Sequence, residues 1–222
     1  MNIQRMMVIM AHPDDIEIHC YGIIKKLIDK GTVCQLIIAT NGENGISEFI
    51  SEKQSIRKKE TENSLSDLSS EIIWLGMKDG GVLLDSNLIE CMKNLITKYN
   101  PELIITHFPD NLGMEHQDHS IVGKAVINAA FRYANNLKYL LLSQPLFSNM
   151  TNFKPNCFVE ISDVYDLKIK AIQNHKSQSG KFYMSDYFHQ MRSAAITPYI
   201  NLQNVDKNAK YELFQIIYER IL

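Results

Sequence analysis

The chain has 222 residues, 45% of them hydrophobic and 22% charged, an ordinary globular composition at a length that suits a single α/β domain spanning residues 1–222. A formal net charge of −2 excludes the basic footprint of a nucleic-acid binder. No apolar stretch approaches the roughly 20 residues of a membrane span, and the run after Arg5 is too short for the core of a secretory signal, so a cytoplasmic protein is expected. Cys20, Cys34, Cys91 and Cys157 are scattered, with no Cys-x-x-Cys pair, and are expected to be reduced core thiols.

Arg5–Ala11 reads as a buried strand. Pro13 suits the first turn of a helix that runs to about Lys30, where Gly31 stops it; Asp14 and Asp15 suit the positive end of its dipole. Thr32–Thr40 is a second strand, followed by the Gly-rich loop Asn41–Gly45 and a polar helix over about Ser51–Leu68. Glu71–Leu75 is a third strand, then a loop through Asp79, then a helix over about Asn87–Tyr99. Glu102–His107 is a fourth strand, leading through a loop to a helix over about His116–Tyr133. Later come strands Leu137–Ser143 and Cys157–Ile161, a helix Asp163–Lys176 capped by Ser162 or Asp163, and helical pieces Ser185–Ala194 and Ala209–Ile221. Four strand–helix alternations with nearly continuous apolar strands predict a Rossmann-like, mostly parallel sheet with helices on both faces and an irregular C-terminal part.

In such sheets ligands bind outside the carboxyl ends of the strands. Those ends carry His12, Asp14 and Asp15, the Asn41–Gly45 loop, Asp79, and His107 through His119. His12 and Asp15 stand three apart across a strand-to-helix turn, so an imidazole and a carboxylate can share a metal. Asp14 lies between them and points elsewhere, placed for a general base. His116 and His119 repeat the spacing, and one of the pair completes a set of two histidines and a carboxylate, the catalytic form of a zinc site. The other is left beside it as an oxyanion stabiliser and acid. Spacing alone does not decide which is which. Asp79 and Asp110 are loop acids at the same edge, suited to accept a hydrogen bond from a substrate or to cap a turn. His107 is expected behind the ligands, His19 in packing and His189 at the surface. Asp118 either orients a ligand or is an exposed first-turn acid.

Ala11-His12-Pro13-Asp14-Asp15-Ile16-Glu17-Ile18, with Gly22 after it, resembles the opening signature of the PIG-L/LmbE-like de-N-acetylases. Thr106-His107, Asp110 and Glu115-His116-Gln117-Asp118-His119 resemble their second signature, and Arg57 and Glu60 match an Arg-x-x-Glu between the two. Weaker echoes are Asn174–Gln178 and Lys210–Phe214. The resemblance implies a Rossmann-like sheet, a Zn²⁺ ion (or Fe²⁺ in its place), and hydrolysis of an N-acetyl group on a small N-acetylglucosamine-type amino-sugar conjugate. Carried over, His12, Asp15 and His119 bind the metal, Asp14 is the base, His116 polarises the oxyanion and protonates the leaving amine, and Arg57 contacts substrate. The alternative for Arg57 is a solvated residue paired with Glu60. A homo-oligomer is also implied. The pattern is departed from in two places: Ile16 stands where a glutamate is usual, and in His19-Cys20-Tyr21-Gly22 the residues His19 and Tyr21 are bulkier than the glycines expected.

A dinucleotide-binding enzyme needs Gly-x-Gly-x-x-Gly after the first strand, where this chain has two carboxylates. An iron(II) oxygenase uses the same ligand types, but in another order and on an all-β scaffold. A catalytically inactive or differently specific metal-dependent sugar-binding protein is the rival of another class.

Overall fold

The computed structural model describes residues 2–48, 51–110, 112–195 and 208–220. Among these, the strands are β1 (Arg5–Met10), β2 (Val33–Thr40), β3 (Glu71–Met77), β4 (Leu103–His107), β5 (Tyr139–Ser143), β6 (Cys157–Glu160) and β7 (Tyr211–Glu219). The helices are α1 (Asp15–Ile28), α2 (Lys53–Ser64), α3 (Ser86–Tyr99), α4 (Gln117–Tyr133), α5 (Tyr165–Gln173) and α6 (Asp186–Ala194). All the strands share one sheet, in the order β3-β2-β1-β4-β5-β7-β6. β1 to β5 run parallel; β7 is antiparallel to both β5 and β6.

Period-two alternation in β1 feeds both faces of the sheet. Met6, Val8 and Met10 pack with Ile16, Ile23 and Ile24 of α1. Met7, Ile9 and Ala11 pack with Met92 and Ile96 of α3 and with Val122 and Val126 of α4. Each such fully buried side chain stabilises the fold by about 1.5–3 kcal/mol relative to exposure. The continuous apolar run of β1 thus follows from burial on both sides.

The chain steps outward from β1 to β3 and then returns to the other side of β1 as β4. That reversal leaves a crevice beyond the carboxyl ends of β1 and β4. At Gly123, on α4, a Cβ would lie 2.5 Å from the carbonyl oxygen of His107. Glycine there lets α4 press on the end of β4, which brings the helix's first turn, with His119, over the crevice.

The C-terminal segment corrects the sequence reading. Ala209–Ile221 was expected to be helical; its described part holds the strand β7, and Ile221 lies outside the described residues. β7 lies between β5 and β6, and its consecutive residues Leu213 and Phe214 are buried in separate apolar clusters on opposite faces, which erases the alternation that marks a strand. Smaller differences are of extent. The polar helix ends at Ser64, with a separate 3₁₀ turn over Ser66–Leu68, and α5 begins after Val164 rather than at a Ser162 or Asp163 cap. All the cysteines are free, but only Cys20 and Cys34 are buried; Cys91 and Cys157 are half-buried.

Candidate metal centre and active site

The turn from β1 into α1 sets the first three groups. Asp15 Oδ2 accepts the backbone N–H of His12 at 2.7 Å, closing the turn. Asp14, the residue before the helix, has φ 104° and ψ −24°, left-handed territory that a non-glycine residue enters only under strain. Its side chain makes no helix-capping bond; the strained backbone turns it away from the helix end. There it meets the Arg57 guanidinium, with Asp14 Oδ2 and Arg57 Nη2 3.1 Å apart.

His119, on the first turn of α4, completes a cluster with His12 and Asp15. His12 Nδ1 is 3.1 Å from His119 Nε2 and 3.4 Å from Asp15 Oδ2, and His119 Nε2 is 3.3 Å from Asp15 Oδ1. Two donor atoms on one tetrahedral zinc stand about 3.3 Å apart, given bonds of roughly 2.0–2.1 Å. The ring protons support the same reading. His12 Nε2 faces the carboxylates of Asp118 and Asp79, each at 3.2 Å, and His119 Nδ1 faces Glu115 Oε2 at 3.0 Å. Each imidazole donates its outer N–H to a carboxylate and turns a bare nitrogen inward, the arrangement that orients metal-binding histidines. Two bare nitrogens and a carboxylate so close together need a cation among them. The residues therefore fit a divalent metal.

Without that ion, protons take its place. Burial alone would lower the pKa of His12, but bonds to Asp118, Asp15 and Asp79 raise it well above the ordinary value. Burial likewise opposes His119, yet Asp15 and Glu115 bring it up to about 9. Burial would raise Asp15, but His119 and His107 hold it well below the usual carboxylate range.

Burial raises the Asp14 carboxyl, and Arg57 restrains the rise. His116 forms the cap of α4, where its Nδ1 accepts the backbone N–H of Asp118 at 3.3 Å, so the neutral ring carries its proton on Nε2. Burial and the neighbouring His12 lower its pKa. These groups surround a cavity of about 340 Å³, within the range of small-ligand sites, with Gly42, Asn44 and Gly45 on one side and Phe147, Phe182 and Met114 toward the mouth. At Gly42, φ is 65° and a Cβ would meet Pro13 Cδ at 2.7 Å, so glycine is required where the loop crosses the metal turn.

His12, Asp14, Asp15, Arg57, Asp79, His116 and His119 all line this cavity. Asp110 does not: it is exposed and takes a hydrogen bond from Asn152 at 2.9 Å. Asp79 lines the cavity with one oxygen facing His12 and the other taking the Asn44 N–H. Arg57 is not a solvated helix residue. It is 2% exposed, and Glu60 instead holds Ser177. Asp118 is buried and takes the Gly80 N–H at 2.8 Å, so it is not a first-turn acid exposed at the surface. His107 is buried behind Asp15, 3.2 Å away, and accepts the Ala11 N–H at 3.0 Å. His189 was expected at the surface; it is 3% exposed, its Nε2 2.9 Å from the Tyr183 carbonyl oxygen, because α6 folds back against the sheet.

Two contributors escaped the sequence reading. Glu115 bridges His119 and the backbone N–H of Leu146. Its position four residues before His119 was the available signal. Glu17, fully buried, takes His175 Nε2 at 2.8 Å and the Ser64 hydroxyl, tying α1 to α2 and to the segment after α5. The burial of Glu17 is explained by partners distant in sequence, His175 158 positions later and Ser64 47 positions later.

A switch-point cavity that offers a cation site, a buried carboxylate and a proton-bearing imidazole is the equipment of a metal-dependent amidohydrolase. Residues 7–130 match the family described as PIG-L, GlcNAc-PI de-N-acetylase, and the chain belongs to that family. It is 26% identical over 187 residues to the probable N-acetyl-α-D-glucosaminyl L-malate deacetylase 2 of Bacillus subtilis (strain 168), spanning 79% of this chain and 84% of the relative. The fold superposes on N,N'-diacetylchitobiose deacetylase from Pyrococcus horikoshii with a TM-score of 0.80 and 24% identity, over 97% of this chain and 84% of that one. It superposes on GalB, the 4-carboxy-2-hydroxymuconate hydratase from Pseudomonas putida KT2440, with a TM-score of 0.83 and 16% identity, over 99% and 98%. At these identities the structural likenesses speak for the fold alone. No helix among the described residues is long and apolar enough to cross a membrane.

Proposed function

We propose that the protein is a zinc-dependent hydrolase that removes the N-acetyl group from a small N-acetylglucosamine-type conjugate. The observation that carries this reading is the trio of separations between His12, Asp15 and His119, with both rings fixed from outside by carboxylates. These residues would hold Zn²⁺, or Fe²⁺ in its place. A zinc ion supplies a Lewis acid and brings the pKa of its water to roughly 7. Asp14 takes the proton of the attacking water, its carboxyl raised by burial toward the working pH. His116 faces the carbonyl oxygen with Nε2–H, stabilises the charge that develops there and passes its proton to the leaving amine. Arg57 positions Asp14, and its buried Nε and Nη1, which find no hydrogen-bond partner among the described residues, are available to a substrate oxygen on the cavity wall.

The test is acetate release from a panel of N-acetylglucosamine conjugates, run with metal-free enzyme and with Zn²⁺ restored. Zinc-dependent release establishes the reaction, and the best substrate names the aglycone. A protein that binds one zinc per chain and releases no acetate from any conjugate overturns the deacetylase reading in favour of sugar binding.

A further inference from the structure

Lys181 lines the cavity, half-buried, from the short loop between the 3₁₀ turns Lys176–Gln178 and Phe182–Met184. Its backbone N–H donates to the Gln178 carbonyl oxygen at 2.9 Å, which fixes the loop. Its ammonium lies over the ring of Tyr183, 5.8 Å from the centroid, and Tyr183 lines the cavity too. The ring steers the charge without neutralising it. The cavity's other charged groups are all engaged. Asp14 meets Arg57, Asp15 belongs to the metal cluster, Asp79 faces His12, and Glu115 faces His119. Lys181 forms no ion pair with any carboxylate among the described residues. Burial lowers its pKa, and Asp14 and Arg57, the charges that act on it most, pull in opposite directions. An ammonium that sheds water and meets no counter-ion is held at a cost that an arriving anion offsets.

A second cavity, of about 370 Å³, adjoins the first and shares Gly45, Gln178 and Lys181 with it. Its charged lining residues are Lys176, Lys181 and Glu48, two ammoniums to one carboxylate. Positive charge is therefore in excess on the side of the site away from the metal cluster, whose own surroundings are rich in carboxylates. We infer that Lys181 selects the substrate of this same site by pairing with an acidic group, carboxylate or phosphate, on the aglycone of the conjugate. The inference rests on the deacetylase reading above. With the N-acetyl group at the metal cluster, the aglycone runs past Gly45 and Gln178, the residues shared by the two cavities, to reach the ammonium. The acidic group takes no part in the reaction. Its pairing is present in bound substrate and transition state alike, so its loss raises KM.

The test uses zinc-loaded enzyme and three N-acetylglucosamine conjugates that differ only at the end of the aglycone: a carboxylate, a phosphate and a neutral carboxamide. An acidic conjugate is expected to exceed the neutral one in kcat/KM by at least about tenfold, the worth of one charge-assisted hydrogen bond. Whichever acid leads names the source of the charge. In Lys181→Met the preference is expected to vanish, through KM rather than kcat, and in Lys181→Arg to persist. High salt should weaken it in the wild type. Melting of the variants separates a folding defect from a lost contact. Equal kcat/KM for all three conjugates, or a preference that survives in Lys181→Met, overturns the role of Lys181 and leaves the deacetylase reading standing. Release of acetate from none of them, with zinc bound, overturns the deacetylase reading and this inference with it.

Discussion

Arg57, on α2, donates to the Pro13 carbonyl oxygen and stands 3.1 Å from Oδ2 of Asp14, so one guanidinium secures both the strained turn and the side chain that the turn presents. Burial drives the Asp14 pKa up and Arg57 opposes it. Replacing the guanidinium with a neutral group therefore raises that pKa further and leaves the base protonated over more of the pH range. For Arg57→Gln, the acid limb of kcat/KM is expected to move to higher pH, with a loss of at least about tenfold at pH 6 and a smaller one at pH 9. An unmoved acid limb would show that Arg57 acts only on substrate.

Asp14→Asn should lower turnover by roughly 10²–10⁴ while zinc content stays at the wild-type level. Asp14→Gly should lose the same activity and yet melt higher than Asp14→Asn, since both leave the buried Arg57 without its carboxylate and glycine alone also relieves the turn. Glycine occupies φ 104° without the penalty borne by aspartate, about 1 kcal/mol or more, which in a chain of this size is about 2–4 °C. Acetate release, metal analysis and calorimetry on the two variants check this together. Equal melting temperatures for Asp14→Gly and Asp14→Asn would remove strain from the account of the turn.

Glu115→Gln keeps the shape of the bridge between His119 and Leu146 but removes its charge. Zinc affinity is expected to fall about 10–100-fold, with kcat little changed once zinc is saturating. Titration against a competing chelator reads the first quantity. A kcat loss that survives saturating zinc would place Glu115 nearer the chemistry.

The metal-free protein should be most stable near pH 6.5. His19 is held well below its ordinary pKa by burial and Arg192, and burial brings His107 to about 4 and His189 to about 2. These rings stay neutral when folded and protonate when unfolded, so their contribution is lost as pH falls below about 6.5. His12 and His119 are raised, the latter to about 9, so their contribution is present below about 6.5 and is lost as pH rises toward 9. With zinc bound, these two rings are no longer protonated and the alkaline decline should shrink to the part that His175, raised by Glu17, contributes. Melting curves from pH 4 to 9.5, with and without zinc, test both limbs; a metal-free melting temperature that climbs steadily to pH 9 would contradict the assignment.

The parallel half of the fold was legible because each strand is an apolar run that ends in a loop, and the candidate cluster because its residues sit at strand ends with helical-turn spacing, although that spacing left His116 and His119 undecided. What stayed hidden depends on contacts distant in sequence. β7 reads as either helix or strand until β5 and β6 are placed on its two sides. Arg57 looks like one more charge on a polar helix until that helix lies across the β1–α1 turn. The ring of His19 is fixed by the Gln144 carbonyl, 125 positions away, which no local pattern encodes. The left-handed backbone of Asp14 is likewise invisible, since sequence rules reserve that conformation for glycine.

Glu212, on β7, receives the backbone N–H groups of Gly22 and Ile23 in α1, each at 2.9 Å, and the Lys168 ammonium at 2.6 Å. The first helix of the chain is thus fastened by its last strand. A nascent chain carries His12, Asp14 and Asp15 out of the ribosome early, but the helix bearing Asp15 and His19 gains this anchor only when residue 212 has emerged, some 10–40 s later at about 5–20 residues per second. Until then β5 and β6 each show an unpaired edge, a template for mispairing with another chain. Ribosome-bound chains truncated before Tyr211 should therefore be the forms that chaperones hold.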